Sequence, residues 1–255
     1  MNINRIMKLA SFAGQIILEN GGETYRTEDT IVRMLENKVD SVETFATPTG
    51  IFVSIEQDGH IYTKLSRITK RGTDLNKIAH VNDLSRRFSK EDWETVDISL
   101  YEEELKSINA LGKYNYYLKL FAAGTAAASL VMIVGGDKRD FIPTFITAML
   151  LQIFVMFLDR LGFTSFLVNC FGGGFVTLFS ILFSQLGMGS LDMIIVGSIM
   201  TLVPGVAITN SLRDIISGDL ISGTSRAVDA LIAAIGIATG VGVLLQIWSK
   251  VGGIR

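Results

Sequence analysis

Charged and amide side chains gather in one stretch of the last quarter of the chain, between two apolar runs. If residues 205–217 form a helix, Asn210, Asp214 and Ser217 share one face at i, i+4 and i+7, with Arg213 beside them. A guanidinium can pair with a carboxylate, and an aspartate can take up a proton. This pattern predicts a site for a small polar molecule. The candidates for its substrate or proton pathway are Asn210, Arg213, Asp214, Asp219, Arg226 and Asp229.

The same stretch has a plainer interpretation as a cytosolic connector. Its charges would then be solvated, and Arg226 would extend towards lipid head groups. Pro204 and Gly205 favour the functional interpretation, because transporters place binding sites where a membrane helix is interrupted.

Charge divides the 255 residues into two unlike parts. Residues 1–113 carry 15 Lys and Arg against 18 Asp and Glu, and the remainder carries 8 against 7. Neither part is basic enough to predict binding to nucleic acid. The single cysteine, Cys170, lies in an apolar run, which excludes a disulfide framework and a cysteine-based metal site. We expect no metal and no cofactor.

Residues 1–113 are predicted to form a cytosolic α+β domain. The first seventeen residues have one apolar face at helical spacing, and acidic residues follow where a signal peptide would carry its cleavage site. An amphipathic helix is therefore favoured over a signal peptide. Alternating β-branched runs flank Asp58-Gly59, a hairpin signal, and two more helices follow.

Residues 114–255 are predicted to form a transmembrane domain of about five helices. Each apolar run has about 18 to 24 residues, enough to cross a hydrocarbon layer of about 30 Å. The runs cover residues 116–134, 141–158, 163–186, 191–208 and 230–248. Five spans would place the C-terminus outside the cytosol. Since no Asp, Glu, Lys or Arg lies in the middle of a run, we expect charge chemistry near the span ends.

Glycines in two of these runs have two interpretations. Gly172, Gly173 and Gly174 in the third run, and the Gly236/Gly240 pair in the fifth, favour close helix packing. The alternative is a helix break at residues 172–174 whose backbone lines a substrate path.

Further candidates lie in the cytosolic part, where a sensing or gating contact is possible. These candidates are Glu23, Thr24, Tyr25, Arg26, Thr47 and Thr49. A local explanation is favoured for the first group, in which Thr24 caps a helix and Glu28 lies in its first turn. Thr47 and Thr49 have a local explanation as turn residues.

Several motifs occur in an order that resembles the threonine/serine exporter (ThrE) family. In the second half they are VPG at 203–205, NSLRD at 210–214, SGD at 217–219 and GTSRA at 223–227. In the first half they are GETYRTE at 22–28, TPTGIF at 47–52, RG at 71–72 and DL at 74–75. The resemblance covers most of the chain, and the segment around residues 91–106 matches weakly.

The resemblance implies export of small metabolites across the bacterial inner membrane, driven by the proton motive force. Family substrates are threonine and serine, or dicarboxylates such as succinate. Full-length members have about ten spans, so this chain resembles the larger subunit of the split, two-component form (the YjjP type). Its implied partners are the bilayer, a small-molecule substrate and a small membrane protein of the same family that supplies the remaining spans. A homo-oligomer is also possible.

Two alternatives to a transporter subunit stay open at this point. One is a membrane-anchored hydrolase-like enzyme, and the other is a regulatory scaffold that senses a metabolite. The sequence has two histidines, and it has no G-x-S-x-G, H-E-x-x-H or glycine-rich phosphate-loop motif, so we expect no enzyme activity.

Overall fold

A computed structural model describes residues 3–92, 96–112 and 114–252. The chain forms two compact units, each built from two separate segments. The first unit combines the residues up to Gly112 with Val206–Val228. The second unit combines residues 114–205 with the residues from Asp229 onwards. That residues 1–113 are cytosolic and residues 114–255 are transmembrane stays a prediction.

The first unit has six helices or helix segments around a small sheet. Two helices, α1 (Ile3–Glu19) and α2 (Thr24–Leu35), precede the strands β1 (Ser41–Thr47), β2 (Gly50–Gln57) and β3 (His60–Arg67). The helices α3 (Leu75–Phe88) and α4 (Ile98–Asn109) follow. Much later in the chain come α9 (Gly205–Ile216), whose residues from Val206 lie in this unit, and the start of α10 (Leu220–Lys250).

The sheet is antiparallel in the order β1-β2-β3. Asp58 and Gly59 both have positive φ (54° and 71°), as a tight two-residue hairpin turn requires, so the predicted hairpin is present. The inner face of β2 carries Ile51, Val53 and Ile55, which are fully buried in one core with the apolar face of α1. This core fixes where α1 ends and therefore where the turn into α2 lies.

The second unit consists of long apolar helices. They are α5 (Tyr116–Val134), α6 (Lys138–Arg160), α7 (Ser165–Gln185), the short α8 (Leu191–Ile199) and the part of α10 from Asp229. By length and composition, α5, α6, α7 and α10 are each able to cross a membrane. In the part of the chain that the structure describes there are four such helices, not the predicted five.

The difference arises in the predicted fourth span, residues 191–208. There α8 ends at Ile199 and α9 begins at Gly205, so the backbone leaves helical geometry over the five residues that end with Pro204. Proline lacks the N–H that a continuing helix needs, which accounts for the interruption. One predicted span is therefore two short helices, and α9 belongs to the first unit from Val206 on.

The predicted helix break at Gly172, Gly173 and Gly174 is wrong, because α7 runs unbroken through all three. A side chain on Gly173 would place its Cβ 2.6 Å from the carbonyl oxygen of Ile237 in α10. Glycine is needed here for the close approach of two helices, as the packing interpretation had it.

Candidate functional site

Polar groups from four segments of the first unit meet in a cluster, and the end of β1 contributes only the backbone N–H of Ala46. The segments are the α1–α2 turn, the first turns of α2, the end of β1 and the hairpin of α9 with α10. We define the polar cluster as Glu23, Thr24, Glu28, Asn210, Arg213, Asp214, Asp219 and Arg226. Five of the six residues predicted from the last quarter of the chain are thus brought together.

The α1–α2 turn supplies backbone carbonyls to the cluster. Asn210 Nδ2 donates to the Gly21 carbonyl, and Arg226 Nη2 donates to the Gly22 carbonyl, both at 2.8 Å. Gly21 has φ +89°, and a Cβ on Gly22 would lie 2.3 Å from Ile17 Cγ2. Since side chains would not fit this turn, the two glycines allow the carbonyls to face α9 and α10.

A tight helical hairpin supplies the partners of that turn. Gly218, with φ +95°, ends α9, and α10 begins two residues later. Ser211 Oγ donates to the Gly223 carbonyl at 2.7 Å. A Cβ on Gly223 would lie 2.9 Å from the Ser211 carbonyl oxygen, so the two helices cross at a distance that only glycine permits.

Asp214 is the buried centre of the cluster, with no exposed surface. Its Oδ1 accepts from the Thr24 hydroxyl at 2.9 Å and from the Thr24 N–H at 3.3 Å. Its Oδ2 lies 3.0 Å from Arg226 Nε, an ion-pair distance at angles that do not form a hydrogen bond. Burial raises the pKa of Asp214, and the bonds from Thr24 and the charge of Arg226 offset that rise only in part.

The Thr24 hydroxyl lies between two carboxylates. Besides its bond to Asp214, Thr24 Oγ1 is 3.4 Å from Oδ2 of Asp219. A hydroxyl has one proton to donate, so it can satisfy only one ionised carboxylate at a time. The shorter contact, to Asp214, is the one that the hydroxyl proton serves, and the contact to Asp219 is the weaker one.

Glu23 lies at the edge of the cluster and is nearly buried, while its partners are accessible. Arg213 Nη1 donates to Glu23 Oε1 at 2.6 Å, and Arg26 Nε lies 3.7 Å from Oε2. The side chains of Arg213 and Arg26 are 54% and 43% exposed. Burial opposes ionisation of Glu23, but its own backbone N–H, Arg213 and Arg26 together outweigh burial and lower its pKa. An accessible guanidinium held by a buried acid is a place where an outside anion can compete.

Glu28 is a member that sequence reasoning missed as a site residue. Its Oε1 accepts from the Ala46 N–H at 2.6 Å, at the end of β1. Burial is the main cause that raises the pKa of Glu28; the Ala46 N–H opposes it, and the charges of Asp219 and Asp214 add to it. The available signal was its spacing from Thr24, which is i, i+4 on one helix face.

The favoured local explanation of Thr24 is wrong. Thr24 is the first residue of α2, the cap position is Glu23, and no side chain caps this helix end. The Thr24 hydroxyl instead bonds across to α9. Local propensity at a helix start therefore did not decide the role of this hydroxyl.

The other predicted candidates lie as follows. Tyr25 is exposed. Thr47 donates to the Gly50 carbonyl at 3.3 Å and accepts from the Thr49 N–H, so both threonines bond within their own turn. Asp229 belongs to the second unit.

Long apolar helices in one unit, together with a buried cluster of paired charges in the other, define a multi-pass membrane protein. Comparison with known proteins gives its family. Residues 8–248 match the family described as putative threonine/serine exporter, and the chain belongs to that family.

Three curated proteins illustrate the similarity. The threonine/serine exporter of Corynebacterium glutamicum is 24% identical over 95% of this chain and 51% of its own length. A probable threonine/serine exporter of Mycobacterium tuberculosis is 20% identical over 96% of this chain and 47% of its own length. An uncharacterized protein of Schizosaccharomyces pombe is 27% identical over 69% of this chain and 22% of its own length. No solved structure matches the chain.

Proposed function

We propose that this chain is one subunit of a secondary transporter that exports a small metabolite across the bacterial inner membrane and is driven by the proton motive force. The substrate is threonine or serine, or a dicarboxylate such as succinate. The observation that carries the proposal is the burial of Asp214 between the Thr24 hydroxyl and Arg226. A buried acid with an adjustable pKa is what a proton-coupled step requires.

The proton step uses Asp214. Protonation of Asp214 weakens the hold on Arg226, because a neutral carboxyl attracts the guanidinium less. Arg226 keeps its bond to the Gly22 carbonyl and gains freedom to meet another anion. Proton uptake by Asp214 is in this way coupled to the release of the Arg226 guanidinium.

The substrate step uses the accessible side of the cluster. All the candidate substrates carry a carboxylate, and Arg213 presents a half-exposed guanidinium that Glu23 occupies in this state. A substrate carboxylate competes with Glu23 for the same donors, and bidentate pairing suits that exchange. The hydrogen bond from Asn210 to the Gly21 carbonyl holds α9 against the α1–α2 turn, and this keeps Arg213 next to Glu23.

We assign three buried hydroxyls of the second unit to a polar path between its apolar helices. Thr144, Thr147 and Ser198 are fully buried, and among the described residues their hydroxyl oxygens have no hydrogen-bond partner. Unsatisfied hydroxyls inside apolar helices are costly and are retained where water or a substrate passes. These hydroxyls match the side chains of threonine and serine in chemistry.

A second protein is part of the proposal. The chain spans about half the length of the two exporters that it matches. As the resemblance to the split form implies, we assign the remaining spans to a small membrane protein of the same family. We place the first unit in the cytosol and the C-terminus outside, which requires that α8 and residues 200–204 return the chain to the cytosolic side before Val206. A homo-oligomer of such pairs is compatible with this arrangement.

Export measurements test the proposal. Cells that express the chain with its partner are loaded with threonine, serine or succinate, and efflux is followed with and without a protonophore. We expect efflux of at least one substrate, loss of efflux with Asp214→Asn, and full efflux with the exposed control Asp83→Asn. Membrane insertion of each variant is checked in parallel. Unchanged internal pools of all three compounds would refute the proposal.

A further inference from the structure

A second polar feature of the first unit lies outside the polar cluster. It is a cleft of about 360 Å³ between α1, β3 and α4, within the size range of small-molecule sites. The cleft is lined by Lys8, Leu9, Phe12, Gln15, Lys64, Glu102 and Lys106. Three of these seven side chains are lysines, so the cleft has a strongly uneven charge.

The one acid in the cleft, Glu102, interacts with the charges of Lys8 and Lys106 but is bonded to Arg5, so a single negative charge stands against three lysines and an arginine. Arg5 holds Glu102 with two parallel bonds, Nε to Oε1 at 2.8 Å and Nη2 to Oε2 at 3.0 Å. In the described part of the chain, no carboxylate forms an ion pair with Lys8, Lys64 or Lys106. The three ammonium groups are therefore left with positive charge in excess.

Lys64 occupies an unusual position in the sheet. It pairs with Val53 across β2 and β3, and Val53 is fully buried, so Lys64 belongs to the inner face of the sheet. Burial lowers the pKa of Lys64, and the charge of Lys8 lowers it further. A half-buried cation beside a second cation is unfavourable by itself, and an anion between them would relieve both effects.

We propose that this cleft binds a small organic anion with at least two carboxylate or phosphate groups. Lys8, Lys64 and Lys106 hold the anionic groups, and Phe12 and Leu9 form an apolar floor for the carbon skeleton between them. Lysine suits this role, because an ammonium pairs with carboxylate and phosphate alike as a point charge. A free metabolite and a lipid head group share this chemistry.

The cleft is connected to the polar cluster through one helix. α1 carries Lys8 and Phe12 along the cleft and ends at Glu19, two residues before Gly21; the carbonyls of Gly21 and Gly22 accept from the cluster. From Lys8 to Gly21 the path is roughly 20 Å at 1.5 Å per helical residue. Occupation of the cleft is thus able to bias the position of the α1–α2 turn, which makes the cleft a regulatory site. This inference goes beyond the proposed export function and does not depend on it.

Binding to the full chain in detergent tests the site without any transport assay. Citrate and pyrophosphate are titrated by calorimetry at constant ionic strength, into the unaltered protein and into Lys64→Gln. We expect saturable binding and a loss of about tenfold or more in affinity for the variant, the size of a lost charge-assisted bond. Lys8→Gln is expected to act in the same direction and serves if Lys64→Gln does not fold. The matched control is Lys70→Gln, at an exposed lysine that does not line the cleft.

A third arm distinguishes a lipid source from a free metabolite. The protein is placed in phosphatidylglycerol or phosphatidylcholine nanodiscs, and the thermal unfolding midpoint is compared for the unaltered protein and Lys64→Gln. A midpoint raised by phosphatidylglycerol alone, and only with Lys64 present, supports the site and assigns it to head groups. If no arm depends on Lys64 or Lys8, the proposal is overturned, and Lys64 is then an inward charge that prevents edge pairing of β3.

Discussion

Removal of the Asp214 carboxylate would loosen the packing of the α9–α10 hairpin on α2. In Asp214→Ala the Arg226 guanidinium, whose side chain is only 13% exposed, loses its carboxylate and keeps the Gly22 carbonyl. The Thr24 hydroxyl and N–H lose their acceptor at the same time. Breaking a buried pair from one side costs about 3–5 kcal/mol. Asp214→Asn keeps an acceptor for Thr24 and removes only the charge, so we expect about 1.5–3 kcal/mol.

Hydrogen–deuterium exchange at the start of α2 measures this loss directly. Exchange there requires local opening, so protection falls tenfold for each 1.36 kcal/mol. A loss of about 3 kcal/mol corresponds to roughly 150-fold faster exchange in Asp214→Ala, and about 1.5 kcal/mol to roughly tenfold in Asp214→Asn. The strands β2 and β3 should keep their protection, because the hydrophobic core that holds them does not include Asp214.

The control is Asp83→Asn, which removes an acid whose side chain is 71% exposed and pairs with Arg87 one turn away. Such surface pairs contribute about 0.3–0.5 kcal/mol, so exchange at the start of α2 should not change. If Asp214→Ala leaves the exchange of that segment as in the unaltered protein, then Asp214 does not hold the hairpin, and the account of the polar cluster fails.

Three further predictions concern pH, the buried hydroxyls and helix packing. The pKa of Glu23 is lowered in the folded protein, so its contribution to stability is present above the ordinary value of 4.5 and is lost as pH falls through the folded value. The unfolding midpoint should therefore fall less steeply with acidification in Glu23→Gln, and equal slopes would contradict this. Thr144→Val should leave stability unchanged or raise it, because the threonine hydroxyl has no partner in the described residues, and should reduce export. Thr177→Val is its control, since that hydroxyl donates to the Gly173 carbonyl at 2.9 Å and its loss should lower stability by about 1 kcal/mol in thermal unfolding. Gly240→Ala should lower the unfolding midpoint, at a cost of about 1–3 kcal/mol or more, because its Cβ would lie 1.9 Å from the Cys170 carbonyl oxygen; an unchanged midpoint would show that α7 and α10 do not pack this closely.

Local patterns in the sequence predicted the elements well where one physical rule decides them. The Asp58-Gly59 hairpin follows from turn chemistry, and four of the five apolar runs correspond to continuous helices long enough to span a bilayer. The predicted fourth span failed because hydropathy alone does not register the break that ends at Pro204. The sequence marks Pro204 and Gly205 as an interruption of a helix, but the run was still predicted as one span, whereas the structure divides it into α8 and α9.

The candidate site was only half predictable for a similar reason. Asn210, Arg213 and Asp214 were predicted as neighbours because they follow one another on a single helix. Their partners on α2, Thr24 and Glu28, lie about 190 residues away in sequence, and no periodicity connects the two helices. When a side chain such as that of Thr24 already has a plausible local role as a helix cap, the sequence gives no reason to look for a distant partner.

The division of the first unit between two distant chain segments has a consequence for biosynthesis. Residues up to Gly112 leave the ribosome first, but the hairpin that covers Thr24 and the α1–α2 turn is made only when synthesis reaches Val228. At about 5–20 residues per second, the early part waits on the order of ten seconds with its site open. During that interval three of the four long apolar helices have already been synthesised. The first unit can therefore be completed only after the three long apolar helices between its two chain segments have been synthesised.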